Sequence, residues 1–378
     1  MYKYRELKTI HLEMTERCNA ACLQCSRNIN GGEQNPHIKN RELALSDIQK
    51  FIPKKLCKQL SHIYMCGNYG DPIVAKDTLD AFKYFREQNS NLLLSMNTNA
   101  SARSAKWWSD LAKIYGDNGY VIFSIDGLKD TNHVYRKNTV WEKIIENAEA
   151  FINAGGKAYW EYIVFEHNEH QVEEARKLSK SLGFQKFVVK KSARFATLNG
   201  DIKEKLTVED KKGNLISISP PKNKLYRNEG LKNSNSSNHI AIEAPRTYDE
   251  IKDKVNPEIF FDTPRQKEFD TAEINCKVQK EKSIYISAEG VLQPCCWVAN
   301  QMYPWHHRFK STQVWKLINK VGKDKIDLHN YSLEQILDSG YFDSIVNSWD
   351  KSSCKEGKLQ ICSKTCGKNL ETFSKQYF

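Results

Sequence analysis

Three cysteines stand close together near the start of the chain, at Cys18, Cys22 and Cys25. Their i, i+4, i+7 spacing lets three thiolates of one short loop converge on three irons of a 4Fe–4S cube. The fourth iron would then have no protein ligand, and an open position distinguishes a catalytic metal site from a structural one. The alternatives are zinc, a disulfide pair or three unrelated thiols. Zinc sites usually take four ligands from paired CxxC units, and nearby the sequence adds only His11.

A second group of cysteines lies in the last quarter of the chain. The stretch from Tyr285 to Cys295 predicts a hairpin that turns at Glu289 and Gly290 and presents Cys295 at its far end. A four-ligand 4Fe–4S cluster would be closed by Cys276, Cys295, Cys362 and Cys366, the last two one helical turn apart. Cys354 is the alternative to Cys362, and Cys296 is expected to face the other side of its strand. A four-cysteine zinc site remains the structural alternative.

Length and composition bound the class of protein. A chain of 378 residues with 40% hydrophobic and 11% aromatic residues can form one large domain or two ordinary ones. The net charge of +11 is spread along the chain, so it permits a nucleic-acid or acidic partner without requiring one. Since no apolar leader or membrane-length apolar run is present, we expect a soluble cytoplasmic protein with no membrane partner. Eleven cysteines in that compartment favour metal binding over disulfides.

The elements that must position the first cysteines alternate between strand and helix. Strands are predicted at 9–14, 63–66, 92–97, 120–125, 158–164 and 187–190. Helices are predicted at 78–88, 105–115, 140–154 and 171–182, and a further one begins at Ser46 and is ended or kinked by Pro53. Six such units indicate an α/β fold, a partial (β/α)6 barrel, because eight units would need two more. Active sites of parallel barrels lie at the carboxyl ends of the strands.

The CxxxCxxC spacing resembles the signature of the radical S-adenosylmethionine (radical SAM) superfamily. The resemblance implies that the open iron binds the amino and carboxylate groups of S-adenosylmethionine. One electron then cleaves this cofactor to methionine and a 5′-deoxyadenosyl radical, which abstracts a substrate hydrogen. Gln24 departs from the family pattern, which usually has an aromatic residue before the third cysteine.

Polar motifs that follow the predicted strands extend this resemblance. The Tyr69-Gly70-Asp71-Pro72 stretch resembles the family's Gly-Gly-Glu-Pro motif, which holds the cofactor's amino group, and Ser124-Ile125-Asp126-Gly127 resembles its Ser-Ile-Asp-Gly motif. Arg136 stands where the family often pairs an arginine with the methionine carboxylate, a task that suits a guanidinium. Each motif alone could be an ordinary turn or cap. The predicted S-adenosylmethionine contacts are Tyr69, Gly70, Asp71, Asn97, Thr98, Asn99, Ser124, Asp126, Arg136 and Asn168.

The late cysteines resemble those of the C-terminal SPASM or twitch domain, which follows the radical SAM core in many peptide and protein maturases. The chain lacks the internal CxxC pair of a full SPASM domain, so the resemblance implies one auxiliary 4Fe–4S cluster. We therefore predict a core barrel over residues 1–196, a polar insertion or linker over 197–272 that could bind substrate, and an auxiliary-cluster domain over 273–378.

Three functional hypotheses follow. Modification of a peptide or protein by oxidation, crosslinking or epimerisation is favoured, because SPASM-type domains mostly serve such substrates. An epimerase would need a hydrogen donor, for which the candidates are Cys57, Cys66, Cys296 and Cys354. Modification of a nucleotide, nucleic acid or small metabolite is the alternative, motivated by the net charge and the Lys and Arg residues of 202–232. A non-enzymatic iron–sulfur protein is the third. The expected electron donor is cytosolic, such as a flavodoxin or ferredoxin.

Overall fold

A computed structural model of the protein describes residues 1–192, 195, 205–209, 215–228, 247, 249, 266–305, 312–368 and 370. The strands in these ranges are β1 (Thr9–Leu12), β2 (His62–Met65), β3 (Leu93–Thr98), β4 (Gly119–Ser124), β5 (Ala158–Val164), β6 (Lys186–Lys191), β7 (Leu206–Glu209), β8 (Leu215–Ile218), β9 (Ser283–Ile286) and β10 (Leu292–Gln293).

The α-helices of the described residues are α1 (Leu45–Phe51), α2 (Lys54–Gln59), α3 (Thr78–Gln88), α4 (Ala105–Tyr115), α5 (Asn132–Tyr135), α6 (Trp141–Asn153), α7 (Val172–Ser181), α8 (Gln266–Thr271), α9 (Lys277–Glu281), α10 (Cys296–Asn300), α11 (Gln313–Val321), α12 (Leu333–Asp338), α13 (Tyr341–Asn347) and α14 (Gln360–Cys366). Short 3₁₀ turns include Pro72–Val74 after β2 and Glu169–Gln171 after β5. None of the helices listed is long and apolar enough to cross a bilayer.

One mixed sheet of eight strands carries the fold, in the order β10-β9-β1-β2-β3-β4-β5-β6. Strands β1 to β6 pair in parallel with their sequence neighbours, each connected through a helix, which confirms the predicted six-unit parallel barrel. The predicted late hairpin is also present, because β9 and β10 pair antiparallel. Its first strand adds to the barrel sheet, where β9 runs parallel to β1. The division of the chain at residues 197 and 273 stays a prediction.

The outer face of the sheet packs against the helices. Strand β4 alternates buried and half-buried residues, and its buried Val121 and Phe123 face the helical layer. The ring of Phe123 lies 5.4 Å from that of Trp108 on α4 and 6.1 Å from that of Phe151 on α6. Each such ring contributes about 1.5–3 kcal/mol when it is fully buried, so this layer holds the barrel in shape.

The face of the sheet away from the helices carries rings and polar groups. The strand register places His11, Tyr64, Ser95 and Tyr120 in one row across β1 to β4. The His11 and Tyr64 rings stack at 4.3 Å, and the Tyr120 ring stacks at 4.8 Å on that of Tyr159. This row closes the inside of the barrel one layer below the strand ends, where the site must lie.

Part of the predicted insertion is a β-hairpin. Strands β7 and β8 pair antiparallel, and their Leu206, Val208 and Ile218 pack in one apolar cluster with Cys22 and Leu23. Leu206 and Val208 alternate with polar residues along β7, which is the pattern of a half-buried strand. The sequence predicted a polar insertion or linker here without naming a strand, so the hairpin is an additional element. Most of the polar insertion or linker predicted over residues 197–272 lies outside the described residues.

Candidate functional site

The loop that follows β1 brings Cys18, Cys22 and Cys25 within electrostatic range of one another. N–H groups point at two of the sulfurs: the Ala20 amide donates to Cys18 Sγ at 3.3 Å, and Arg136 Nη1 donates to Cys22 Sγ at 3.9 Å. Burial raises the pKa of the Cys22 thiol to about 11, against the opposing effect of the Arg136 guanidinium.

Burial also raises the pKa of the Cys18 thiol, together with the nearby Asp71, Cys22 and Cys25. A thiol of this kind ionises when a metal takes the place of its proton, so the donor set suits a thiolate-ligated iron–sulfur cluster. Within the described ranges, no three His, Cys, Asp or Glu side chains are arranged to hold a single metal ion. The role of these cysteines as ligands therefore stays a prediction.

The loop after β2, residues 67–71 (the glycine loop), also lies close to the first cysteine loop. A Cβ on Gly70 would overlap the carbonyl oxygen of Thr15, so this position requires the close approach that glycine permits. Asp71, the next residue, is buried, and its carboxylate accepts the backbone N–H of Asn99 at 2.8 Å and the side-chain amide of Asn99 at 2.7 Å. The same Asn99 amide lies 3.7 Å from Cys18 Sγ. The structure thus joins Asp71, Asn99 and the first cysteine in one hydrogen-bonded group.

The loop after β4 supplies a second group. Arg136 Nε donates to Asp126 Oδ2 at 2.6 Å, and the backbone N–H of Ile163 donates to Asp126 Oδ1 at 2.6 Å. Burial raises the pKa of Asp126, while Arg136 lowers it. Asn168 is fully buried and bonds to backbone groups: its amide donates to the Asp126 and Ile163 oxygens, and its oxygen accepts the N–H of Phe165. Asn168 therefore holds the loops around the site together.

The remaining predicted contacts occupy the same ends of the strands. Tyr69 is buried, and its hydroxyl donates to the Asn300 oxygen at 3.4 Å. Thr98 is also buried, and its hydroxyl accepts the N–H of Ala100. Asn97 and Ser124 are half-buried on β3 and β4. Contact with a cofactor stays a prediction for each of these residues.

The second cysteine group is also brought together. The segments that carry Cys276 and Cys366 are paired, because the backbone N–H of Asn275 donates to the backbone oxygen of Cys366 at 2.8 Å. The interaction of the two thiols raises the pKa of Cys276 and lowers that of Cys366. Cys295 lies within electrostatic range of both. Burial, followed by the charges of Cys295 and Cys366, raises the pKa of Cys362. The segments that carry the four predicted cysteines thus adjoin one another, since helix α10 also contacts helix α14, and the role of these cysteines as ligands stays a prediction.

Cys354 has a different environment. It is buried in a small apolar cluster with Phe269, Ala272 and Leu370, and its backbone N–H donates to Asp270 at 2.7 Å. The geometry thus favours Cys362 over Cys354 as the companion of the other three. Cys296 is the first residue of helix α10 and not part of a strand, because the hairpin already ends at Gln293.

The four candidate hydrogen donors occupy different environments. Cys57 is buried in the main core, where its thiol donates to the Ile52 oxygen at 3.5 Å. Cys66 follows β2 on the inner side of the barrel, and burial raises its pKa to about 12, opposed by Lys190 and reinforced by Asp71. Burial and the charges of Cys295 and Cys66 raise the pKa of Cys296. The loop after Cys66 also contacts Cys296, because Asn68 Nδ2 donates to the backbone oxygen of Cys296 at 2.9 Å.

Two charged features inside the barrel escaped the sequence analysis. Glu13 is buried at the end of β1, and burial raises its pKa to about 7. Glu161 on β5 and Lys190 on β6 form an ion pair of 2.8 Å inside the barrel. A charged residue at an alternating position of an otherwise apolar strand was the available signal, because such a residue needs a buried partner.

Part of the chain is similar in sequence to known proteins. Residues 12–179 match the radical SAM superfamily. The FeMo cofactor biosynthesis protein NifB of Methanocaldococcus infernus is 30% identical over 109 residues, which cover 28% of this chain and 35% of that protein. Its counterpart in Methanocaldococcus jannaschii is 28% identical over 109 residues, covering 28% and 36%. The matched segment thus spans about a third of these curated relatives.

Solved structures resemble a much longer part of the chain. Streptococcus suis SuiB bound to S-adenosylmethionine has a TM-score of 0.51 and 14% identity, over 95% of this chain and 73% of that one. SuiB bound to its precursor peptide SuiA gives a TM-score of 0.51 and 13% identity, over 95% and 72%. At this identity the likeness establishes a common fold.

Proposed function

We propose, from the premise that residues 12–179 form a radical SAM superfamily domain, that Cys18, Cys22 and Cys25 hold a 4Fe–4S cluster that binds S-adenosylmethionine. The observation that carries the proposal is the convergence of these three cysteines beside Asn99 and Arg136 at the carboxyl end of the parallel strands. The bound cofactor would supply a 5′-deoxyadenosyl radical that abstracts a substrate hydrogen. The protein acts as an enzyme by binding, orienting and shielding the reacting groups.

The chain's own groups have defined tasks at this site. The amide of Asn99 and the guanidinium of Arg136 donate toward the sulfurs, which stabilises the negative charge of thiolate ligands. Asp126 fixes the orientation of Arg136, because their ion pair is buried. The β7–β8 hairpin packs against the cysteine loop and limits the access of water.

We propose an auxiliary 4Fe–4S cluster on Cys276, Cys295, Cys362 and Cys366. Their proximity supports this ligand set, and four cysteine ligands leave no open iron. Such a cluster would relay electrons to or from the substrate site, or support the fold. A zinc ion on the same four thiols is the alternative.

The proposed substrate is a peptide or protein. Support comes from the arrangement of the late cysteines and from the fold shared with SuiB, which has been crystallised with a precursor peptide. Cys66 is the proposed hydrogen donor if the reaction is an epimerisation, because it lies inside the barrel beside Asp71. A nucleotide, nucleic acid or small metabolite is the second candidate, favoured by the net charge of +11. A cytosolic flavodoxin or ferredoxin is the proposed electron donor.

An anaerobic cleavage assay tests the chemistry. The protein is reconstituted with iron and sulfide, reduced with dithionite, mixed with S-adenosylmethionine and analysed for 5′-deoxyadenosine. Two clusters predict about eight irons per chain, and the C18A/C22A/C25A variant should keep about four and release no 5′-deoxyadenosine. Full iron content without cleavage by the unmodified protein would contradict the proposal.

Deuterium transfer then tests the substrate class. Deuterated peptides and deuterated nucleosides are supplied separately, and the label is followed into 5′-deoxyadenosine by mass spectrometry. Transfer from a peptide supports the first candidate. Transfer from nucleosides alone would replace it with the second.

A further inference from the structure

Glu13 accepts hydrogen bonds from the backbone of the glycine loop. Its side chain is 2% exposed, and its Oε1 accepts the backbone N–H of Tyr69 at 2.8 Å and that of Gly70 at 3.2 Å. Its Oε2 accepts the hydroxyl of Tyr285 on β9. The carboxylate of Glu13, directly after β1, therefore binds both the glycine loop and strand β9 of the hairpin that precedes Cys295.

The opposite side of the same loop is attached to helix α10. Asn68 Nδ2 donates to the backbone carbonyl oxygen of Cys296 at 2.9 Å, and the Tyr69 hydroxyl donates to the backbone carbonyl oxygen of Asn300 at 3.4 Å. Helix α10 begins directly after Cys295, a proposed ligand of the auxiliary cluster. The loop is thus joined to the C-terminal segment through two separate connections.

The loop has little room to adjust. A Cβ on Gly67 would overlap the Gly70 oxygen and would lie 2.8 Å from Glu13 Oε1. If Glu13 were lost, two backbone N–H groups would be left without their buried acceptor, which costs free energy and releases the loop. Asp71 would then lose its fixed position next to Asn99 and Cys18.

We propose that Glu13 is a positioning residue that sets the 67–71 loop for S-adenosylmethionine and, through Tyr285 and helix α10, couples the affinity for this cofactor to the C-terminal cysteine site. The inference rests on the proposed function. Coupling of binding free energies is reciprocal, so disrupting the C-terminal site should weaken cofactor binding at the loop, and cofactor binding should in turn stabilise the C-terminal site.

Isothermal titration calorimetry of S-adenosylmethionine into anaerobically reconstituted protein tests the coupling. Tyr285→Phe, Asn68→Ala and Cys295→Ala should each weaken the affinity by about 5- to 50-fold, the usual range of coupling between sites. Tyr84→Phe is the matched control, since it removes a tyrosine hydroxyl that donates to Ile52 far from the loop, and its affinity should equal that of the unmodified protein.

A conservative substitution of Glu13 distinguishes a role in positioning the loop from a role in folding. Glu13→Gln keeps an oxygen for the two N–H groups and an amide that can donate to the Tyr285 oxygen, so it should bind the cofactor nearly as well as the unmodified protein. Glu13→Ala should bind weakly, and if it does not fold, the Tyr285→Phe and Asn68→Ala variants carry the test. Thermal unfolding of each variant accompanies the titration.

The outcomes distinguish this inference from the proposed function. If the unmodified protein binds S-adenosylmethionine and the Tyr285, Asn68 and Cys295 variants bind it equally well, the coupling is overturned and the proposed function stands. If the unmodified protein contains its clusters and binds no S-adenosylmethionine, both are overturned.

Discussion

Arg136 and Asp126 form a buried ion pair at the carboxyl end of β4, with Nε 2.6 Å from Oδ2. The family resemblance implies that Arg136 also meets the carboxylate of a bound cofactor, and this contact stays a prediction. Arg136 Nη1 reaches Cys22 Sγ at 3.9 Å. The guanidinium is therefore held between a carboxylate and a thiol, and Asp126 fixes its orientation.

Removing Arg136 should destabilise the fold. Arg136→Ala leaves Asp126 buried without its charge partner, and breaking a buried pair in this way costs about 3–5 kcal/mol. Urea denaturation under anaerobic conditions measures the free energy of unfolding. Lys129→Ala is the control, because Lys129 and Glu142 form an exposed pair whose loss should change the stability little. Equal losses in the two variants would contradict the assigned role of the pair.

Cys362 and Cys354 should differ in iron content. Cys362→Ala removes one of the four proposed ligands, so we expect a loss of about four irons per chain, one 4Fe–4S cluster. Cys354→Ala should keep its iron, because Cys354 packs in a separate apolar cluster. Iron and sulfide are counted after reconstitution of both variants. Iron loss restricted to Cys354→Ala would reverse the assignment.

The dependence of stability on pH should report the buried Glu13 carboxyl. Burial raises its pKa from 4.5 to about 7, so the folded state favours the protonated form. The stability that this pKa difference contributes is fully present below pH 4.5 and is lost as the pH rises through about 7. In the unmodified protein the free energy of unfolding should therefore decline by up to about 1.4 kcal/mol per pH unit in that window, and Glu13→Gln should remove this decline.

Denaturation of the two proteins at a series of pH values measures this difference. The comparison is needed because His11 and His62, whose pKa values burial lowers to about 4, act in the opposite direction in both proteins. Parallel curves for the unmodified protein and Glu13→Gln between pH 4.5 and 7 would show that Glu13 does not titrate there.

The β7–β8 hairpin should protect the first cysteine site. Ile218 is 1% exposed against the cysteine loop, and Ile218→Ala should cost about 2–5 kcal/mol and speed the loss of iron to a chelator. Leu215→Ala is the matched control, since Leu215 on the same strand is 66% exposed. Iron release is followed by the absorbance of the iron–chelator complex. Identical rates in the two variants would remove the shielding role.

The sequence predicted those elements whose signals are local. Helices α3 and α4 and strand β5 have the predicted bounds, because apolar periodicity and capping residues such as Ser104 act within a few residues. The cysteine spacings likewise identified the two groups of thiols. Pro53 also acted as expected: it separates α1 from α2.

The remaining features depend on contacts between distant residues, which periodicity does not encode. Pairing of β9 with β1 joins residues about 270 positions apart, and the Tyr285 bond to Glu13 follows from it. The pairing of Arg136 with Asp126 was not predicted for the same reason, because the two residues meet only after the loop has folded. The hairpin at Leu206 escaped detection, since the polar residues around it dominate the composition of the segment.

The pairing of β9 with β1 also concerns the solubility of the chain. Without the C-terminal segment, β1 would present its backbone N–H and C=O groups, together with the apolar side chains of Ile10 and Leu12, along an open edge. An edge of this kind recruits strands from other molecules and promotes aggregation. The segment that carries the late cysteines is therefore also a protective cover, and it serves in that way whatever those cysteines bind.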